Sequence, residues 1–176
     1  MPADDGTRTR RFEAVALPHL PSAYNLARWI CRNEADAADV VQEAVMRALQ
    51  YFDRYHGGDA RAWLLQIVRN SAYTWIERNR PASHVSLVET ELDTAGDSED
   101  PLSAVTAQAE AAALRRAIAR LPLEQREVLA LRELEELSYR QIADIIDAPI
   151  GTVMSRLSRA RDQLTAIVRA GERASS

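Results

Sequence analysis

The sequence contains no lysine: all 22 of its basic residues are arginine, set against 26 acids. A guanidinium is planar and permanently charged, which favours bidentate contacts to phosphates and base edges. The base composition of a gene can produce the same bias. Cysteine is reduced to Cys31, so no internal disulfide can form, and its neighbours Trp29 and Ile30 place it in a helical pattern as a buried thiol. No apolar run approaches membrane-spanning length and no secretory signal precedes Arg8. A soluble, cytoplasmic chain without membrane insertion is expected. His19, His56 and His84 are scattered. They offer no metal ligand set, imply no cofactor and build no nucleophile–base constellation, so an enzyme is the weakest reading. Strand alternation and internal repeats are also missing. What is present is helical periodicity from end to end, and the fold class is all-α.

The net charge of −4 argues against a nucleic-acid partner only until it is divided. Residues 1–80 hold 11 Arg against 10 acids, and residues 104–176 hold the same numbers. Residues 81–103 hold no base and six acids: Glu89, Glu91, Asp93, Asp97, Glu99 and Asp100. The acidity belongs to this middle segment, whose mix of Pro, Ser, Thr and Gly reads as a flexible linker. From Pro149 onward five Arg face only Asp162 and Glu172. Local field decides nucleic-acid binding more than whole-chain charge does.

The most informative stretch runs from Leu137 to Leu164. Ser138 and Gln141 have the spacing of a capping box, and Ile142, Ile145 and Ile146 form one helical stripe. Asp147, Ala148 and Pro149 interrupt it, since proline disfavours a helical Ala148 and suits the start of a new helix. Val153, Leu157, Ala160 and Leu164 then form a second apolar series. Thr152, Ser155, Arg156, Ser158, Arg159 and Arg161 lie between them. Two helices, a tight turn, and hydroxyls and guanidiniums on the second helix make the helix-turn-helix pattern. Such a helix can enter a major groove, where Arg reads guanine and hydroxyls hold phosphates. A plain helical hairpin with a solvated basic face is the alternative.

Upstream, residues 1–10 are expected to fray. A helix follows over 11–33, broken near its start by Pro18 and Pro21. Asp36 to Phe52 forms the next, with Ala37, Val40, Val41, Ala44, Val45, Ala48, Leu49 and Phe52 inside. Asp36, Asp39, Gln42 and Glu43 lie outside, as a solvated face or a docking face for a basic partner. Gly57 and Gly58 mark a loop, and Asp59 can cap a helix running to Asn79 with Leu64, Ile67 or Val68, Ser71, Trp75 and Ile76 as its stripe. Rings crowd residues 51–75. Tyr55 beside two glycines has little packing role in such a loop. With Trp63, Arg61, Arg69 and Asn70 it would suit stacking and hydrogen bonding of unpaired bases. Helices over 104–121 and 122–134 lead into the helix-turn-helix, completing a four-helix unit.

The stretches ADAADVVQEAVMRAL (35–49), RAWLLQIVRN (61–70), LPLEQREVLALRELEELSYRQIADII and GTVMSRLSRAR together resemble the extracytoplasmic-function (ECF) subfamily of bacterial RNA polymerase sigma factors. The resemblance covers about residues 11–80 and 104–169 and implies two small helical domains joined by the acidic linker. Residues 1–80 would engage core polymerase and the downstream (−10) promoter element. Residues 104–176 would read the upstream (−35) element. By position, Asp36, Asp39, Gln42 and Glu43 match the docking face for the clamp coiled coil of core polymerase; its flap is the second contact implied. Asn70, Trp63 and the Tyr55–Asp59 loop match the parts that capture a flipped base, with Arg61 and Arg69 beside them. Met154, Ser155, Arg156, Ser158 and Arg159 match recognition-helix positions, while Thr152 and Arg161 would hold phosphates. Met154 and Ser158 stand where relatives often carry longer polar, basic or aromatic side chains, so direct readout is expected to be sparse and DNA shape to matter more. The family's usual control implies an anti-sigma partner. Two rivals remain: a sigma mimic that titrates an anti-sigma factor without touching DNA, and a helix-turn-helix regulator that works without polymerase.

Overall fold

The computed structural model describes residues 3–79 and 101–174. Within them lie eight α-helices and two 3-10 turns, and no strand. The first four helices are α1 (Ala3–Ala16), α2 (Leu20–Cys31), α3 (Glu34–Gln50) and α4 (Ala60–Asn79). The other four are α5 (Pro101–Ala119), α6 (Leu123–Glu133), α7 (Tyr139–Ile146) and α8 (Ile150–Ala174). The expected acidic linker lies outside the described residues as far as residue 100.

The break predicted at Pro18 and Pro21 is a 3-10 turn, Leu17–His19, and each proline stands in the first turn of its helix, where a missing N–H costs nothing. Residues 3–10 do not fray as expected, because they belong to α1; residues 1 and 2 lie outside the described residues. α1 is anchored to the far end of α3 and the turn after it: Arg8 Nη2 donates to the Leu49 carbonyl at 2.7 Å and Arg8 Nε to Asp53 at 3.0 Å. Phe12 is buried edge-on against the Phe52 ring, 5.4 Å between centroids. Asn33 caps α3 by accepting the Asp36 amide at 3.0 Å, and Asp59 caps the start of α4 by accepting the Ala62 amide at the same distance.

α4 departs from its predicted stripe. Leu64, Leu65, Val68, Ser71 and Ala72 are buried, whereas Ile67, Trp75 and Ile76 are half-buried. The reason is position: α4 packs against α2 and α3 on one side and α7 on the other, so no single stripe faces a core.

In the second half α6, α7 and α8 pack together, with α5 against α8. The two halves are docked on each other. α2 meets α6, α4 meets α7, and one hydrophobic core runs through both. Arg126, only 4 % exposed, ties them. Its Nη2 donates to the Ile30 carbonyl at 3.1 Å and its Nε to the Trp29 carbonyl, while Nη1 donates to Leu121 at 3.0 Å and Ala119 at 3.3 Å. The last carbonyls of a helix lack intrahelical partners and carry partial negative charge. One guanidinium thus serves the ends of both α2 and α5.

Candidate nucleic-acid interface

α7 and α8 form the helix-turn-helix. The Ser138 hydroxyl accepts the Gln141 amide at 3.2 Å and the Gln141 side chain accepts the Ser138 amide at 2.9 Å, completing the predicted capping box. Asp147 ends α7 in the left-handed region, φ 52°, which reverses the chain so that α8 starts at Ile150. Val153, Leu157 and Ala160 are buried and Leu164 is half-buried, fixing which side of α8 faces outward. Met154, Ser155, Ser158 and Arg159 are exposed there, and Thr152 is half-buried.

Arg156 and Arg161 fit their expected roles less simply. Arg156 turns inward and pairs with Glu127 at 3.5 Å, so it holds α8 onto α6 instead of standing with the outward set. Arg161 donates to Glu133 at 2.9 Å, which raises its already high pKa. Both are within the expected region of α8, but each has an acid of its own domain for a partner.

The ring cluster ahead of α4 is also more structured than its sequence suggests. Gly57 and Gly58 take φ of 94° and 93°, a conformation other residues rarely adopt. The turn they make lets the Tyr55 hydroxyl donate to the Gly58 carbonyl at 3.0 Å. The Tyr55 ring lies 4.9 Å from Trp63 and stacks on Phe52 at 6.0 Å. Tyr55 therefore does have a packing role, contrary to the expectation for a loop ring. Trp63 and Asn70 stand two turns apart on α4, Trp63 half-buried and Asn70 exposed.

Arg61 and Arg69 do not join that surface. Arg61 donates to the carboxylate and, at 2.7 Å, to the backbone carbonyl of Glu135. Arg69 grips Glu127 with two nitrogens, Nε at 2.8 Å and Nη2 at 3.1 Å, and lies 4.3 Å over the Tyr73 ring. Both guanidiniums are turned toward the second half of the chain. Glu127 is 0 % exposed, and burial pushes its carboxyl up against the opposing pull of Arg69 and Arg156. Burial also acts upward on Glu135, but hydrogen bonds from Ser22, Arg61 and Asn25 prevail and hold it below its ordinary value. Asp59 is lowered too, chiefly by the Ala62 amide, and it accepts from Gln141 of α7 at 2.7 Å. Arg126, Glu127 and Glu135 were not singled out from the sequence, and Gln141 was expected only as a capping residue. Arg126 and Glu127 run directly into buried Val128 and Leu129, and that was the available signal for those two.

On α3, Asp39 and Gln42 are exposed, Asp36 and Glu43 are half-buried, and Glu43 pairs with Arg47 one turn on. Met46, 63 % exposed, lies next to them and adds an apolar element to this acidic face. Among the described residues no group of His, Cys, Asp and Glu converges as metal ligands, and no helix is long and apolar enough to cross a membrane.

Two family models match the chain: Sigma-70 region 2 over residues 16–81 and Sigma-70, region 4 over residues 111–164. The chain is 36 % identical over 137 residues to the ECF RNA polymerase sigma-E factor of Escherichia coli K12, covering 73 % of this chain and 72 % of the relative. It is 31 % identical over 163 residues to the RNA polymerase sigma-H factor of Pseudomonas aeruginosa, covering 88 % and 84 %. Among solved structures, the sigma factor RpoE from Bartonella quintana, in complex with the anti-sigma factor NepR, matches with a TM-score of 0.75 at 26 % identity. That match covers 91 % of this chain and 98 % of the other. CnrH, in complex with the cytosolic domain of CnrY, matches with a TM-score of 0.64 at 24 % identity over 92 % and 90 %.

Proposed function

The chain belongs to the ECF family of RNA polymerase sigma factors, and from that premise we propose how its residues direct promoter-specific initiation. The observation that carries the reading is the pairing of two surface sets in the family's order: half-buried Trp63 and exposed Asn70 on α4, then exposed Met154, Ser155, Ser158 and Arg159 on α8. Residues 1–80 form the unit that binds core polymerase and the −10 element; residues 104–176 form the unit that reads the −35 element.

On α3, Asp36, Asp39, Gln42 and Glu43 dock the basic clamp of core polymerase, with Met46 contributing apolar contact. The Tyr55–Asp59 loop, Trp63 and Asn70 hold a base taken out of the stack, since an aromatic face and a side-chain amide suit an unpaired base. Ser155 and Arg159 address base edges, and Thr152 holds phosphate. Arg156 positions α8 through Glu127 rather than reading bases. Arg61 and Arg69 become available to the melted strand once Glu135 and Glu127 release them. The protein carries out no catalysis of its own and works in the cytoplasm, where its polymerase is.

The RpoE structure was solved with an anti-sigma factor and shares this chain's arrangement over nearly its whole length. We extend that to a partner here: an anti-sigma factor that holds the two halves as they are seen docked.

Run-off transcription with reconstituted core polymerase on genomic fragments tests the assignment. The protein should direct initiation from discrete start sites. Arg159→Ala should lower promoter-dependent output about fivefold or more, as loss of a base-edge contact costs roughly 1–3 kcal/mol, while core polymerase is still captured normally. Failure to direct initiation at any site would leave the sigma mimic as the better account.

A further inference from the structure

We infer that Ile150 and Met154 form an apolar strip that selects thymine in the −35 element through its methyl group; this rests on the sigma-factor reading of α8. Both side chains are exposed, Ile150 by 44 % and Met154 by 53 %, at the start of the recognition helix. Four residues apart, they stand one above the other on one face. Ser158 continues that face one turn on, and Ser155 and Arg159 flank it, all exposed. A Cβ added at Gly151 would meet nothing within 4 Å, so the first turn is open on that side. Small residues around two apolar ones let the helix settle deep enough for the longer side chains to reach base edges.

The chemistry of the groove then chooses the occupant. All four bases present hydrogen-bonding groups to the major groove, and thymine alone adds a methyl. A methionine thioether and an isoleucine have no N–H or O–H to offer. Pressed against a guanine or cytosine edge, they would strip water from polar groups and return no hydrogen bond. Pressed against a methyl, they remove apolar surface from water on both sides. Residues from 149 onward hold five Arg and two acids; Arg156 and Arg161 pair with Glu127 and Glu133, which leaves Arg159 beside the strip to meet phosphate or a base edge. The strip therefore sits inside an electrostatically suitable nucleic-acid surface. It turns the apparent sparseness of polar readers at Met154 and Ser158 into a different kind of readout.

The test uses the full chain with core polymerase on a promoter found by run-off transcription. Each −35 thymine is replaced in turn by deoxyuridine, which removes the methyl and leaves base pairing intact. Binding is measured by fluorescence anisotropy at fixed salt. At one or two positions the wild-type holoenzyme should bind about fourfold more weakly per methyl removed. Met154→Ala and Ile150→Ala should weaken binding to the thymine promoter and lose the sensitivity to deoxyuridine. Met154→Arg should move the preference at that position toward guanine. Indifference of the wild type to every deoxyuridine, on a promoter it transcribes, overturns the inference and leaves the sigma-factor reading intact. So does a Met154→Ala defect that persists unchanged on deoxyuridine promoters, because Met154 would then be contacting a protein. Absence of initiation on any fragment fails the sigma-factor reading itself, and the inference with it.

Discussion

At the scale of the residue, three non-glycine positions among the described residues are held left-handed: Arg32 at φ 62°, Glu136 at 53° and Asp147 at 52°. Each sits where a helix or turn must reverse. Asp147 is the one that bears on the −35 reading proposed for α8, because it turns the chain between α7 and α8. A short polar side chain tolerates this region, while a β-branched one collides with its own backbone. Asp147→Val should lower stability by about 1–3 kcal/mol and Asp147→Gly should leave it nearly unchanged, as read by urea unfolding. Asn70 offers a contrasting residue-scale outcome. It is exposed and packs little, so Asn70→Ala should leave stability alone and impair promoter opening more than initial duplex binding. A permanganate footprint with an unchanged bubble would contradict that role.

At the scale of the element, α7 shows how little sequence is needed to start a helix when the caps are right. It has eight residues, too few to be stable alone. Its start is fixed by the reciprocal bonds of Ser138 and Gln141, and its end by Asp147. Ile142, Ile145 and Ile146 then bury it against α4, α6 and α8. Ser138→Ala should cost about 1 kcal/mol, visible as a lower urea midpoint with an unchanged slope. Ser138→Thr should recover most of it. The periodicity of α3, α7 and α8 was legible because each lays one face on a core. α4 was not, because a helix enclosed on two sides has no single stripe to display.

At the scale of the whole molecule, the docked arrangement is made by charges placed between apolar contacts. Arg126 meets the end of α2, Arg69 meets Glu127, and Arg61 meets Glu135. Two guanidiniums assigned to the −10 surface are thus occupied, while the exposed face of α8 is not covered by these contacts. Between the halves Asp59 is also lowered and Glu127 is raised, the latter acting in the opposite sense, and Glu135 carries part of the pH dependence on the acid side. Its folded-state value is held below the ordinary 4.5, so its contribution is fully present above that value and lost as pH falls through the lower, docked-state value. Fluorophores on α3 and on the end of α8 should report a constant separation near neutral pH and a larger one on acidification below 4.5. Glu135→Ala should show the larger separation already at pH 7. A separation that is the same in both proteins at every pH would mean the halves do not depend on this carboxylate.

Apart from the first turns of α1, the sequence by itself determined the helices, the caps of α3, α4 and α7, the turn between α7 and α8, and the family, because these depend on neighbours within a few residues or on motifs written in one stretch. The tertiary structure decided which arginines face outward. Arg61, Arg69 and Arg156 look as available in the sequence as Arg159 does, yet each has an acid waiting at 58 to 74 positions' separation across the fold, or at 29 within it. A guanidinium on a helix can swing toward either side, and only the position of a buried carboxylate such as Glu127 settles which.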